Sequence, residues 1–318
     1  MIPLVEEPAL RATVTPAVAV GAVREAFRAD GEGRAHVPAV INLEIPGAQG
    51  EFHVKTAHID GVPHVAVKIA SGFYGNAAKG LPSGSGMLAV FDAATGFPVA
   101  LLLDNGFLTD IRTGAAGAVA ASVLARRGAL TVGVVGSGTQ ARWQVRCLRE
   151  VCRVDHILAW SRTGEHLERY CVEMRDEGFE ASSARSVEDV CRGADVLITT
   201  TPSRVPLVRP EWLHEGMLVL AVGADAPGKR ELEAGCFGRA DLVVVDRLEQ
   251  CAGFGELKGA LAAGAVTLER VHARLGEIVA GRKPGRMDDR QIAIADLTGV
   301  GFQDTAIASA ALERCASA

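Results

Sequence analysis

The chain has 318 residues, of which 48% are hydrophobic and 22% are charged, a globular composition that excludes a disordered protein. The 33 basic and 38 acidic residues give a net charge of −5, and without a basic stripe we expect no nucleic-acid partner. No uncharged apolar run approaches the ~20 residues that span a bilayer, and the N-terminus lacks a signal-peptide pattern. We therefore expect a soluble, cytoplasmic protein with no membrane partner and about two domains.

The first third of the chain predicts one helix and a group of short strands. Thr15 and Pro16 are typical of a helix start, and we expect that helix over 15–29. Residues 37–103 change to short apolar runs separated by Pro-Gly, Asp-Gly and Thr-Gly turns, which predict strands at 39–45, 51–59, 64–69, 86–92 and 99–103. Because such turns connect neighbouring strands, the region indicates a mostly antiparallel sheet.

From residue 110 onward, helices and strands alternate. An alanine-rich helix is expected over 110–126, and buried strands are expected at 131–135, 156–160, 195–200, 217–222 and 241–245. This alternation predicts parallel βαβ units, so the fold class is α/β, with a doubly wound parallel sheet at 114–295. Residues 1–113 with 296–318 are expected to form a smaller, mostly antiparallel α+β domain, to which a C-terminal helix from about Thr305 returns.

The strongest local motif is the segment 136–141, Gly-Ser-Gly-Thr-Gln-Ala. It fits G-x-G-x-x-A directly after a strand and at the start of a helix, the context in which this pattern binds dinucleotides. Gly136 allows the tight turn, Gly138 lets a pyrophosphate approach the backbone, and Ala141 lets helix and strand pack closely. A tight turn without a ligand is the alternative, but the context favours a Rossmann-type dinucleotide-binding domain at 114–295.

The end of the next strand bears on which dinucleotide is bound. An NAD site usually has a carboxylate ~20 residues beyond the glycines, where it binds the ribose 2′-hydroxyl. Here Ser161, Arg162 and Thr163 follow the strand, and the first carboxylate is Glu165. A cation with two hydroxyls suits a 2′-phosphate, so NADP(H) is favoured and NAD(H) is the alternative. Arg162 as an exposed residue at a helix start is the other interpretation.

The cysteines and histidines predict no disulfide and no metal site. Seven cysteines are dispersed along the chain, and no two form a CxxC pair. In a chain without a secretion signal they are expected to be reduced and buried. The eight histidines show no HExxH motif and no His/Cys spacing that would hold a metal.

Five segments occur in an order that resembles one protein family: 68–74, 110–116, 136–141, 221–225 and 296–299. Together they are similar to the ornithine cyclodeaminase/mu-crystallin family, and the resemblance covers nearly the whole chain. Within it, segments 71–76 and 81–86 resemble iminosuccinate reductases and ectoine-utilisation proteins. The resemblance implies a homodimer, and the exposed edge of a short antiparallel sheet suggests that the first domain forms it.

The resemblance also implies roles for individual residues. Lys68 and Arg112 match the residues that bind the substrate carboxylate, a chemistry that an Arg with a nearby Lys suits. Asp225 matches the residue that handles the substrate's amino group and proton, so Asp225 and Lys68 are the catalytic candidates. Ser83 and Arg112 match positions near both substrate and cofactor. The remaining implied positions are Thr298 for the substrate and, for the cofactor, Thr139, Gln140, Thr201, Val222, Lys229 and Leu297.

Each of these residues could instead be an ordinary turn, helix-face or core residue, and two positions depart from the family pattern. The strand at 39–45 lacks the arginine that family members usually carry there, and Asn42 is its weaker candidate replacement. Lys55 stands where ornithine cyclodeaminase has a glutamate. Its positive charge would suit a second carboxylate on the substrate better than the ammonium of ornithine. A surface strand position for Lys55 is the alternative.

The residues and the resemblance together predict an NAD(P)H-dependent oxidoreductase that acts on a small amino or imino acid, such as iminosuccinate. Hydride would pass between the nicotinamide and the substrate carbon that bears nitrogen. Two alternatives remain: an ornithine-type cyclodeaminase that recycles NAD, and a non-catalytic, NADPH-dependent ligand-binding protein, as mu-crystallin is. Net turnover of the nicotinamide and release of ammonia distinguish the three.

Overall fold

The computed structural model describes residues 2–82 and 84–317, which divide into two compact units. The first unit comprises the residues up to Arg112 together with those from Val300 onward, and the second comprises Thr113–Gly299. The division expected from the sequence, at 114 and 296, lies close to these bounds.

The described residues of the first unit form one sheet of seven strands: β1 (Leu4–Glu6), β2 (Ala35–His36), β3 (Ile41–Ile45), β4 (Gly50–Ile59), β5 (His64–Phe73), β6 (Gly84–Asp92) and β7 (Pro98–Leu103). Their order is β1-β7-β6-β5-β4-β2, with β3 paired to β4. All pairs are antiparallel except β1 with β7, so the predicted mostly antiparallel sheet is confirmed.

Two helices precede most of this sheet, α1 (Glu7–Thr13) and α2 (Pro16–Gly31). Thr15 caps α2, because its side chain accepts a hydrogen bond from the backbone N–H of Val18. The predicted capped helix is therefore confirmed. Helix α1 was not predicted, because a helix of only seven residues shows no clear periodic pattern.

Eight strands form the sheet of the second unit: β8 (Ala129–Val135), β9 (Arg153–Trp160), β10 (Ala181–Ser183), β11 (Val196–Thr199), β12 (Leu218–Ala221), β13 (Leu242–Val245), β14 (Val271–Arg274) and β15 (Ala293–Asp296). The order is β10-β9-β8-β11-β12-β15-β13-β14, and every pair is parallel. The predicted doubly wound, Rossmann-type sheet is confirmed. The strand order reverses on the two sides of β8, which is where such sheets bind ligands.

The helices around this sheet are α3 (Phe107–Leu124), which contains the point of division, α4 (Thr139–Leu148), α5 (Gly164–Asp176), α6 (Val187–Gly193), α7 (Gly235–Arg239), α8 (Leu248–Phe254), α9 (Glu256–Ala262) and α10 (Leu275–Val279). Helices α6 to α10 have five to seven residues each, too few for a clear periodic pattern, and the sequence did not predict them.

The last helix, α11 (Gly301–Ser317), packs on β4 and β5 of the first unit. It begins four residues before the predicted start at Thr305. A Cβ at Gly301 would collide with the carbonyl of Thr56, so glycine permits this close approach. The Thr305 hydroxyl donates to the carbonyl of Ala57 (2.8 Å) and accepts from the N–H of Ala66 (3.3 Å). These contacts fix the position of α11 against the sheet.

All seven cysteines are free, and five of them are buried. The expectation that all would be buried is wrong for Cys152 and Cys315, which are partly exposed because each lies near the end of a helix or strand. Within residues 2–82 and 84–317, no helix is long and apolar enough to cross a membrane. Cytoplasmic location stays a prediction from the sequence.

Candidate functional site

The glycine-rich loop of the second unit connects β8 to α4. Gly136 has a φ of 120°, a region that favours glycine, and a Cβ there would lie 2.6 Å from the Thr200 hydroxyl oxygen. A Cβ at Gly138 would meet nothing within 4 Å, so the backbone there is open to a ligand. Ala141 is fully buried, which agrees with close packing of helix and strand. The loop therefore has the shape that the motif predicts.

A cavity of about 340 Å³ adjoins this loop, and six of its lining residues are Gly136, Ser137, Gly138, Ser161, Arg162 and Thr163. Thr201, from the loop after β11, lines it as well. The structure thus brings together the glycines, the 161–163 segment and Thr201, which were proposed separately. A helix N-terminus suits a phosphate, and the residues present fit a dinucleotide.

The side of the cavity at the end of β9 is polar and has no acidic lining. Ser137 donates from its hydroxyl to that of Ser161 (2.9 Å). Glu165 lies outside the lining and accepts a hydrogen bond from Arg169 (3.0 Å) at the surface of α5. Among the described residues, those that line the cavity include no carboxylate. His166 lines it too, a residue that sequence reasoning missed.

Six of the described residues proposed for the cofactor do not line this cavity: Arg112, which belongs to the first unit, and Thr139, Gln140, Val222, Lys229 and Leu297. Thr139 and Gln140 are the first two residues of α4. Val222 and Leu297 are buried directly after β12 and β15.

Asp225 follows β12 as expected and is largely exposed. Its Oδ1 accepts a hydrogen bond from Lys229 Nζ (2.6 Å), and the Asp225 side chain is 54% exposed. The structure therefore joins a proposed catalytic residue to a proposed cofactor residue in one ion pair.

Thr298, proposed to bind substrate, lies buried beside Asp246. Its hydroxyl donates to Asp246 Oδ1 (2.9 Å) and accepts from Gln250 Nε2 (3.0 Å). Asp246 also accepts from the N–H of Gly299 (2.7 Å). In this structure Thr298 thus holds the loop after β15.

Three more buried carboxylates, which we call the carboxylate series, connect loops at the carboxyl edge of this sheet: Glu231, Glu256 and Asp296. Glu231 accepts from the N–H groups of Thr201 (2.5 Å) and Gly223 (2.9 Å). Glu256 accepts from the N–H groups of Glu231 and Leu232, and Asp296 accepts from that of Leu257.

Burial raises the pKa of Glu231 and of Asp296 to about 7, and that of Glu256 to about 8. Each group also accepts backbone hydrogen bonds, which act in the opposite direction but do not cancel the effect of burial. No sequence motif marks Glu231, which lies in a loop, or Glu256, which begins the short helix α9, whereas Asp296 ends β15 and is the first residue of segment 296–299.

The first unit holds a buried group of charged side chains, which we call the cationic cluster: Lys55 on β4, Lys68 on β5, Arg112 on α3 and Asp304 on α11. Lys68 Nζ donates to Asp304 Oδ1 (3.0 Å), and Arg112 Nε donates to the same oxygen (2.9 Å). Lys55 is 9% exposed, so the alternative of a surface position for it is wrong. Sequence reasoning missed Asp304.

The pKa values in the cationic cluster follow from burial and mutual charge. Burial and the neighbouring Arg112 lower the pKa of Lys68 to about 7, although Asp304 partly opposes them. Burial alone would raise the pKa of Asp304, but the charges of Lys68 and Arg112 outweigh it and lower that pKa. Asp104, just before α3, has a pKa that burial raises. Lys68 therefore changes between ammonium and neutral amine near neutral pH.

A model of the ornithine cyclodeaminase/mu-crystallin family matches residues 9–318. The chain belongs to this family. The resemblance inferred from five short segments is thereby confirmed.

Three solved structures of similar proteins carry nicotinamide cofactors. An archaeal alanine dehydrogenase dimer with bound NAD is 36% identical, with a TM-score of 0.93 and coverage of 99% of this chain and 96% of that one. The Δ1-pyrroline-2-carboxylate reductase of Thermococcus litoralis, in complex with NADH and L-proline, is 29% identical (TM-score 0.95; 99% and 98% coverage). The iminosuccinate reductase of Paracoccus denitrificans, in complex with NAD+, is 29% identical (TM-score 0.92; 99% and 97%).

As a member of the ornithine cyclodeaminase/mu-crystallin family with such relatives, the chain is an NAD(P)-dependent enzyme of the oxidoreductase or cyclodeaminase type. The structure does not bring Asn42, the candidate replacement for the missing arginine, into the cationic cluster. Asn42 lies exposed on β3, where its side-chain oxygen is 2.6 Å from His53 Nδ1. Ser83 lies outside the residues that the structure describes.

Proposed function

We propose that this chain is an NAD(P)H-dependent reductase of a small imino acid that carries two carboxylates, such as iminosuccinate. The cationic cluster is the observation that supports it. Lys55, Lys68 and Arg112 are three basic groups beside the carboxylate of Asp304. A substrate with two carboxylates suits a cluster in which basic groups predominate, whereas such a cluster would repel the second ammonium of ornithine.

The second unit supplies the nucleotide site of this proposal. A bound nicotinamide dinucleotide supplies the hydride. Ser161, Arg162 and Thr163 line the cavity, while Glu165 is paired with Arg169 at the surface, so a 2′-phosphate would meet a cation rather than a carboxylate. We therefore favour NADPH over NADH for this chain, although the three similar structures hold NAD or NADH.

The proposed roles of the protein groups follow their chemistry. Lys68 and Arg112 bind a substrate carboxylate, because an ammonium and a guanidinium form strong charge-assisted hydrogen bonds to carboxylate oxygens. Lys55 attracts the second carboxylate. Asp225, exposed and held by Lys229, is proposed to give the proton that the imine nitrogen acquires on reduction.

The decisive experiment is an assay of the purified chain with NADPH and with NADH against three probes. Oxaloacetate with ammonium provides iminosuccinate, Δ1-pyrroline-2-carboxylate is a monocarboxylate imine, and ornithine is the cyclodeaminase substrate. We expect oxaloacetate with ammonium to oxidise NADPH fastest, and oxaloacetate without ammonium to serve as the control for reduction of the ketone.

Three other outcomes of this assay would support a different function or a different substrate. Release of ammonia from ornithine with no net change in nicotinamide absorbance would identify a cyclodeaminase. Tight NADPH binding with no turnover of any probe would favour a ligand-binding protein. Faster reduction of Δ1-pyrroline-2-carboxylate would refute the preference for two carboxylates.

We also propose that the first unit forms a homodimer. Strand β3 pairs only with β4 among the described residues, and the side chains of Ile41 and Leu43 are 64% and 56% exposed. An open strand edge with exposed apolar side chains is covered when a second copy pairs with it across a two-fold axis.

A further inference from the structure

We propose that Asp304 is a positioning residue for substrate binding, which holds the Lys68 ammonium and the Arg112 guanidinium from the side opposite the substrate carboxylate. This inference rests on the proposed function, in which those two cations bind that carboxylate. Asp304 itself does not touch the substrate in this account, and it acts through its two partners.

The hydrogen bonds of Asp304 define this arrangement. Its Oδ1 accepts from Lys68 Nζ and from Arg112 Nε, and Lys68 Nζ is also 3.0 Å from Oδ2. Arg112 donates in addition from Nη1 to the side chain of Gln303 (2.9 Å). One carboxylate thus fixes two long side chains that come from a strand and from a different helix. Without it, each side chain would regain rotamer freedom that substrate binding would have to remove.

The position of Asp304 is set by the helix that carries it. Gly301, Thr305 and Ser309 recur every four residues along one face of α11, and each contacts the sheet. Gly301 approaches the Thr56 carbonyl, Thr305 bonds to β4 and β5, and the Ser309 hydroxyl is 2.8 Å from His64 Nδ1. Asp304 lies in the same turn as Thr305, so these contacts place it against Lys68 without using its charge.

The charge of Asp304 has a second effect on Lys68. Burial and Arg112 both favour the neutral amine, and Asp304 favours the ammonium. Removal of that negative charge is therefore expected to deprotonate Lys68 at a lower pH and to weaken its bond to a carboxylate. A change in KM and in the pH at which substrate binding fails would therefore report the effect of Asp304 on Lys68, whereas a change in folding stability alone would report only the attachment of α11.

The test compares Asp304→Asn with Thr305→Val, a near-isosteric change in the same turn that removes neutral hydrogen bonds but no charge. With oxaloacetate, ammonium and NADPH, we expect Asp304→Asn to raise KM about tenfold or more and to move the alkaline limb of kcat/KM about one pH unit lower. Thr305→Val should lower thermal stability and leave the pH profile in place. NADPH affinity should change less than about twofold in both variants, since the nucleotide cavity belongs to the second unit.

Two further measurements keep the result independent of the substrate assignment. NMR titration of protein labelled at lysine Cε, with Lys68→Arg to assign the signal, should show a lower Lys68 midpoint in Asp304→Asn. Asp304→Glu, which keeps the charge, should restore part of that midpoint. An unchanged midpoint and an unchanged pH profile in Asp304→Asn would overturn the inference. If the wild-type protein turns over no imino acid but the midpoint moves, the proposed function fails and the hold of Asp304 on Lys68 stands.

Discussion

Lys55 and Lys68 lie directly opposite each other on β4 and β5, and both side chains are buried. Like charges at directly opposed positions destabilise an antiparallel sheet, and the charge of Lys55 contributes to the lowered pKa of Lys68. A buried pair of this kind is costly to fold. Its presence is consistent with a site whose charge is balanced when an anion binds.

The first prediction concerns Lys55. Lys55→Glu should reverse the preference between substrates with one and two carboxylates, because it changes the local charge by two units. We expect kcat/KM for iminosuccinate to fall at least about tenfold relative to that for Δ1-pyrroline-2-carboxylate. An unchanged substrate ratio in Lys55→Glu would remove Lys55 from the specificity argument.

The second prediction concerns the pH dependence that Lys68 imposes. Because the pKa of Lys68 is lowered to about 7, its ammonium is lost as the pH rises above neutrality. Binding of the substrate carboxylate, measured as kcat/KM, should therefore decline on the alkaline side. In Lys68→Arg the guanidinium stays charged, so overall activity should fall but the decline should move to much higher pH. The same decline in both proteins would assign it to another group.

The third prediction concerns stability and the carboxylate series. The folded-state pKa values of Glu231, Glu256 and Asp296 are raised above those of an unfolded chain, so near pH 6 the folded state binds more protons. The free energy of unfolding should thus fall between about pH 5 and about pH 7, by up to about 1.4 kcal/mol per pH unit for each group. Glu231→Gln should have a shallower slope in urea unfolding across this range. A slope equal to that of the wild type would contradict the raised pKa of Glu231.

The fourth prediction concerns the cofactor. Arg162→Ala should weaken NADPH binding about tenfold to a hundredfold, which corresponds to the loss of one charge-assisted hydrogen bond. NADH binding should be unchanged, because it lacks the 2′-phosphate. The matched control is Arg175→Ala. It removes an exposed arginine that is paired with Glu168 on α5, the helix that follows Arg162. Calorimetric titration of both cofactors decides the matter, and tighter NADH binding by the wild type would refute the preference.

The fifth prediction concerns assembly. Light scattering at micromolar concentration should give the mass of a dimer, and the double variant Ile41→Lys with Leu43→Lys should give that of a monomer. Phe97→Lys is the control, since Phe97 is 72% exposed but lies in the turn between β6 and β7. A monomeric wild-type protein would refute the dimer. A double variant that remains dimeric would show that the subunits meet at a surface other than β3.

Local signals in the sequence were sufficient for much of the fold. Gly136 to Ala141 follows a buried strand and precedes a helix, and both the turn and its neighbouring cavity have the expected form. The antiparallel strands were predictable because glycine turns separate apolar runs. The roles of Lys68 and Arg112 came from the resemblance, and the structure adds that both are buried in one cluster.

The site residues that the sequence did not predict are placed by contacts between residues far apart in the chain. Asp304 meets Lys68 across 236 positions of sequence, and nothing in the helical segment around it marks a buried aspartate. Glu231 follows a lysine and an arginine in the sequence and resembles a surface residue. Its burial is set by the packing of several loops. Local pattern carries no information about such packing, so these residues could be found only in three dimensions.

The Glu231 carboxylate accepts hydrogen bonds from the backbone N–H groups of two loops, one at Thr201 in the cavity lining and one at Gly223, two residues before Asp225. A single side chain therefore makes the placement of these loops interdependent. We therefore expect that a ligand which shifts Thr201 also affects the hydrogen bond from Gly223, and that occupancy of the cavity influences the loop that carries Asp225. Loss of that carboxylate would let the two loops move separately.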